Sequence, residues 1–108
     1  MNDSGDSDCA GQTVVAPQGG FVRTFPIINK KGLHARATAK FVQCVDEFDA
    51  QVTVSRCGET VGGDSIMGIL TLGAGIGSTI TVTAAGTQAK EALDALEALV
   101  ANRFGEEE

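Results

Sequence analysis

A chain of 108 residues with a net charge of −6 has room for one domain. A folded body of about 90 residues buries roughly 60–70% of its unfolded surface, enough for a core without metal or disulfide support. The acidic balance excludes an ordinary nucleic-acid binder, which needs a basic face, and no apolar run approaches the ~20 residues that span a bilayer, so neither nucleic acid nor membrane is an expected partner.

The first 20 residues are rich in Asp, Ser, Gly and Gln and are expected to form a flexible tail, followed by one domain over residues 21–105 and an acidic tail over 106–108. Their acidic start is unlike a secretory signal. Cys9, Cys44 and Cys57 make an odd count without C-x-x-C or paired Cys/His spacing, which predicts no disulfide framework, no metal site and a reducing cytoplasm.

Phe21 to Asn29 reads as a strand, and Pro26 places it at a sheet edge because proline donates no ladder hydrogen bond. The Lys30–Gly32 loop then delivers the chain to a helix from about Ala35 to Phe48, with Phe41, Val42, Val45 and Phe48 on one face. Cys44 lies within it as a small, partly buried residue. Gln51 to Arg56 and Glu59 to Val61 form a hairpin about Cys57-Gly58. A short helix over Ile66–Leu72 follows, capped by Asp64 or Ser65; Ile66 and Met67 cannot both turn inward, which leaves an exposed docking patch. Ser78 to Ala84 alternates as a strand, and a last helix begins near Gly86-Thr87. Its stripe of Ala89, Ala92, Leu93, Leu96, Leu99, Val100 and Phe104 faces the core, with Gly105 as C-terminal cap.

The order is βαββαβα. It predicts an α+β fold in two layers, a four-stranded antiparallel sheet with three helices on one face. Thr53, Ser55, Thr79, Thr81 and Thr83 are expected to clothe the solvent-facing side.

The candidate chemistry concentrates at His34, the one histidine in the chain. It follows the turn formers Asn29 and Gly32 and sits at or near the N-cap of the first helix, where unpartnered backbone N–H groups and the macrodipole favour an anion. Arg36 adds a fork of donors suited to phosphoryl oxygens. A cation in the first turn opposes the dipole by roughly 0.3–1 kcal/mol, as befits a site that receives an anion. A nucleophilic imidazole beside a phosphate cradle points to transient phosphorylation of His34. Residue types alone do not decide which ring nitrogen attacks, and a capping or surface role is the plain alternative.

Two segments, GLHARATAKFV at 32–42 and SIMGILTL at 65–72, in this order and separation, resemble the histidine-containing phosphocarrier (HPr) family of the bacterial phosphoenolpyruvate-dependent phosphotransferase system. The resemblance spans Phe21 to about Phe104 and implies an HPr-like open-faced β-sandwich. It implies a carrier rather than a free-standing enzyme, with no cofactor: His34 takes a phosphoryl group on Nδ1 from phospho-enzyme I and passes it to an enzyme IIA-type acceptor. Arg36 matches the family's active-site arginine, the amides of Ala35 and Arg36 would hold the phosphoryl oxygens, and Leu33, Ile66 and Met67 would dock partners. Ser65 matches a serine that HPr kinase/phosphorylase modifies in many bacteria. A cytoplasmic monomer is expected.

The chain departs from the family's common HARP pattern in having Ala37, as nitrogen-related and alphaproteobacterial members do, and it offers Gln43 and Asp46 where sugar-branch members often present lysines. A regulatory, nitrogen-related phosphorelay is therefore preferred to sugar uptake. The rivals are a non-transferring regulator acting through Ser65, which would need neither His34 nor Arg36, and an enzyme pairing His34 with a thiol. Cys44 lies ten residues along the same helix, roughly 15 Å away, too far for such a pair, which leaves Cys57 as the open alternative.

Overall fold

The computed structural model describes residues 19–105; the expected tails over 1–20 and 106–108 lie outside them except for Gly19 and Gly20. Four strands, β1 (Phe21–Pro26), β2 (Gln51–Arg56), β3 (Glu59–Gly62) and β4 (Thr79–Ala85), form one sheet in the order β1-β4-β2-β3, and every neighbouring pair is antiparallel. Three helices, α1 (Ala35–Asp46), α2 (Ile66–Thr71) and α3 (Ala89–Ala101), complete the βαββαβα order.

Period-two alternation sorts each strand between the layers. Phe25, Val52, Val54, Ile80, Val82 and Ala84 turn toward the helices and are buried, which removes their apolar surface from water at about 25 cal/mol per Å². α1 answers with Ala37, Phe41, Val42 and Val45, and α3 with Ala89, Ala92, Leu93, Leu96 and Val100. Pro26 ends the edge strand, paired with Thr79, so its missing N–H costs the sheet little. The β2–β3 turn places Cys57 at φ 55° and Gly58 at φ 81°, the paired positive angles of a type I′ turn whose twist matches the strands it joins.

Several expectations are corrected. The hydroxyl-bearing face is less open than alternation suggests: Ser55 and Thr83 are buried, because Thr53 bonds Thr83 and Ser55 bonds Thr60 across neighbouring strands. β1 stops at Pro26, although Ile27 still exchanges hydrogen bonds with Ser78 and Gly77. α1 ends at Asp46, two residues early. α3 ends at Ala101; Arg103 and Phe104 then take left-handed φ of 54° and 57°, so Phe104 reaches the core from a 3-10 turn rather than the helical stripe. Lys40 Nζ donates to the Phe104 carbonyl at 2.6 Å and ties that turn to α1. Of the cysteines in the described residues, Cys44 is free and Cys57 is disulfide-bonded, contrary to the prediction from the odd count, which does not fix connectivity; Cys9 lies outside the described residues.

Candidate functional site

His34 occupies the N-cap of α1 with extended backbone, φ −80° and ψ −177°. Its carbonyl accepts the first helical bond from Thr38 N at 2.8 Å, and its Nδ1 accepts from Arg36 N at 3.2 Å. Serine, threonine, aspartate or asparagine ordinarily supplies that acceptor; here a ring nitrogen does. An accepting Nδ1 carries the lone pair, so in the neutral imidazole the proton resides on Nε2. The cap thereby leaves the lone pair on Nδ1 of the neutral ring, an assignment that residue types left open.

The loop before His34 is held from several directions. Asn29 Nδ2 donates to the Gly32 carbonyl at 2.8 Å, and Gly32 N donates to the Asn29 carbonyl at 3.1 Å. Leu33 N donates to the Ala74 carbonyl at 2.8 Å, and Thr38 Oγ1 donates to the Leu33 carbonyl at 3.3 Å. Gly32 adopts φ +66° against the loop after α2; a Cβ there would lie 2.6 Å from both the Ala74 oxygen and the Gly75 Cα. The imidazole is thus mounted on a fixed backbone rather than a loose loop.

Arg36 and Ala35 are exposed at the start of α1. The first turn contains no acidic residue, and the ion pairs among the described residues join Arg23 to Asp94 and Glu97 without involving Arg36. Its guanidinium is therefore not held by a carboxylate among the described residues. The Arg36 amide, expected to hold a phosphoryl oxygen, is engaged by His34 Nδ1 in this state. Ala35 occupies the first helical position, whose N–H has no intrahelical acceptor.

Ser65 caps α2: its Oγ accepts from Gly68 N at 3.1 Å and its carbonyl from Ile69 N at 3.0 Å. Ile66 is 41% and Met67 69% exposed, and α2 packs beside α1. Leu33 is different. It is only 5% exposed and belongs to the core cluster, so the expectation that its side chain docks a partner is corrected: its neighbours in the sequence are polar or small, and the turn at Gly32 points the one large apolar side chain inward. Burial, with Glu47 adding to it, pushes the Cys44 thiol up from its ordinary value, which disfavours the thiolate a nucleophile would need.

No motif in the sequence marks Thr38 or the Ala74 loop, and Asn29 reads there only as a turn former. A polar residue in an apolar helical stripe, at Thr38, was the signal available. Among the described residues no group of three or more His, Cys, Asp or Glu side chains could hold a metal, and no helix is long and apolar enough to cross a membrane.

A family model described as "PTS HPr component phosphorylation site" matches residues 21–102. The "Phosphocarrier protein HPr" of Cupriavidus necator is 56% identical over 86 residues, covering 80% of this chain and 97% of the relative. The "Phosphocarrier protein NPr" of Shewanella violacea is 43% identical over 84 residues, covering 78% and 92%. The crystal structure of HPr from Thermoanaerobacter tengcongensis superposes with a TM-score of 0.78 at 41% identity, covering 82% of this chain and 99% of that one.

Proposed function

Because this chain belongs to the HPr family of phosphocarriers in the bacterial phosphotransferase system, whose members carry phosphoryl groups rather than act as catalysts, we propose that His34 Nδ1 accepts a phosphoryl group from phospho-enzyme I and yields it to an enzyme IIA-type protein. The observation that carries this is the Arg36 N–H bond to Nδ1. It leaves the lone pair on that nitrogen. In transfer, the lone pair forms the N–P bond as the bond from phosphorus to the donor breaks and its electron pair returns to the donor; the Nε2 proton stays in place. Arg36 N–H, released from Nδ1, then donates to a phosphoryl oxygen together with the Ala35 amide, while the guanidinium offsets the added charge. These few exposed donors make a modest cradle, and a relay must not hold its cargo much more tightly than its neighbours do.

Ile66 and Met67 form the apolar part of the proposed docking surface. Phosphorylation of Ser65 by an HPr kinase/phosphorylase would put about −1.5 to −2 charges beside it and weaken docking by repulsion and desolvation. One copy holds the whole constellation, which supports a monomer. The proposed compartment is the cytoplasm, where the relay draws its phosphoenolpyruvate.

For the acceptor, Ala37 in place of proline and the exposed Gln43 and Asp46 support a nitrogen-related regulatory relay. The higher identity to a relative named HPr than to one named NPr favours the sugar branch as the second reading. The test is intact-mass measurement after incubation with phosphoenolpyruvate and enzyme I. Wild type gains one acid-labile phosphoryl group, folded His34→Ala gains none, and Arg36→Ala gains it at least about tenfold more slowly. Chasing the loaded protein with IIA proteins of each branch identifies the acceptor. Equal labelling of His34→Ala would overturn the assignment.

A further inference from the structure

Four polar side chains are buried among the described residues: Asn29, Thr38, Ser55 and Thr83. Ser55 and Thr83 spend their hydroxyls on other hydroxyls within the sheet. Asn29 and Thr38, each 0% exposed, act elsewhere: both donate to the peptide groups immediately before His34, one to the Gly32 carbonyl at 2.8 Å and the other to the Leu33 carbonyl at 3.3 Å. A buried polar group is costly unless bonded, and a core position four residues into α1 would ordinarily favour an aliphatic side chain. Neither donor is needed to close a helix or a strand.

We propose that Asn29 and Thr38 are positioning residues for phosphoryl transfer, a pair of buried donors that clamp the Gly32 and Leu33 carbonyls and thereby fix the His34 imidazole with Nδ1 toward the start of α1. The inference rests on His34 being the phosphoryl acceptor. The clamp grips both sides of the nucleophile's mount: Asn29 lies on the loop before it and Thr38 on the helix after it. With the carbonyls of 32 and 33 fixed, the extended backbone of His34 and the 3.2 Å contact of Nδ1 with Arg36 N follow. Without the clamp, the ring samples other orientations and tautomers, and the fraction of collisions that find Nδ1 aimed at phosphorus falls.

Thr38→Val removes the hydroxyl at nearly constant volume, Thr38→Ser restores it, and Asn29→Ala removes the second donor. Single-turnover phosphorylation by phospho-enzyme I is measured alongside the tautomer of His34, read from 15N shifts of the imidazole in the unphosphorylated protein. Val100→Ala, remote in α3, supplies a loss of stability without touching the clamp. Thr38→Val and Asn29→Ala lower the maximal rate roughly ten- to hundredfold with the half-saturating enzyme I concentration unchanged. Both mix the tautomers, whereas Thr38→Ser and Val100→Ala behave as wild type. Wild-type rates and tautomer in Thr38→Val and Asn29→Ala would overturn the proposal, as would a Thr38→Ser variant as slow as Thr38→Val, or a raised half-saturation at unchanged maximal rate. If wild type accepts no phosphoryl group, the transfer reading fails on its own, and the tautomers alone decide the clamp: mixing in the two variants upholds it and wild-type shifts refute it.

Discussion

Gly32 shows how single residues set the site. Its φ of +66° is matched by Gly73 at φ +66°, but a Cβ at Gly73 would meet nothing within 4 Å, whereas at Gly32 it would strike the Ala74 oxygen and Gly75 Cα. The left-handed angle alone costs an alanine roughly 1–2 kcal/mol. Gly73→Ala should lose about that in urea denaturation. Gly32→Ala should lose more, because the backbone that it strikes also accepts the Leu33 amide. Equal losses would show that the loop around Ala74 yields freely and does not brace His34. The roles proposed for His34 and Arg36 are argued from their types and spacing, whereas the lone pair on Nδ1 is not readable there, since it depends on where the Arg36 N–H points. Leu33 marks the same limit: the resemblance implies a docking residue, and the positive φ of Gly32 before it sends its side chain into the core.

The short helix α2 has six residues and cannot persist alone. Two things hold it: packing of the buried Ile69 and the Ser65 cap on Gly68 N. Ser65→Ala therefore costs ~1 kcal/mol, a fall in Tm of roughly 4–8 °C for a domain of this size, without affecting phosphorylation of His34. An unchanged Tm would mean that packing alone holds α2. The existence and order of all seven elements are legible in the sequence because hydrophobic period and turn residues agree at each. Their ends are less so, because tertiary contacts decide them. The apolar stripe of α3 continues to Phe104, yet the chain leaves the helix after Ala101, and the Lys40 hydrogen bond to the Phe104 carbonyl, 64 residues away, has no local signal.

At the scale of the whole molecule, the sheet is a rigid base on which β1 and the loop after α2 meet at the start of α1. The β1–β4 pairing, extended by Ile27 to Ser78 and Gly77, brings Ala74 to the Leu33 amide. The arrangement places His34 Nδ1, the proposed acceptor, and the exposed Ala35 and Arg36 at one rim of the described fold. Such a site should run in both directions. The decisive measurement is the return reaction: protein loaded on His34 is separated from enzyme I and phosphoenolpyruvate, then mixed with fresh enzyme I and excess pyruvate and followed by intact mass. A carrier loses its phosphoryl group as phosphoenolpyruvate appears in equal amount, and keeps it when enzyme I is omitted over the same interval. Retention of the group with active enzyme I present, or loss as free phosphate at the same rate without it, would contradict the account.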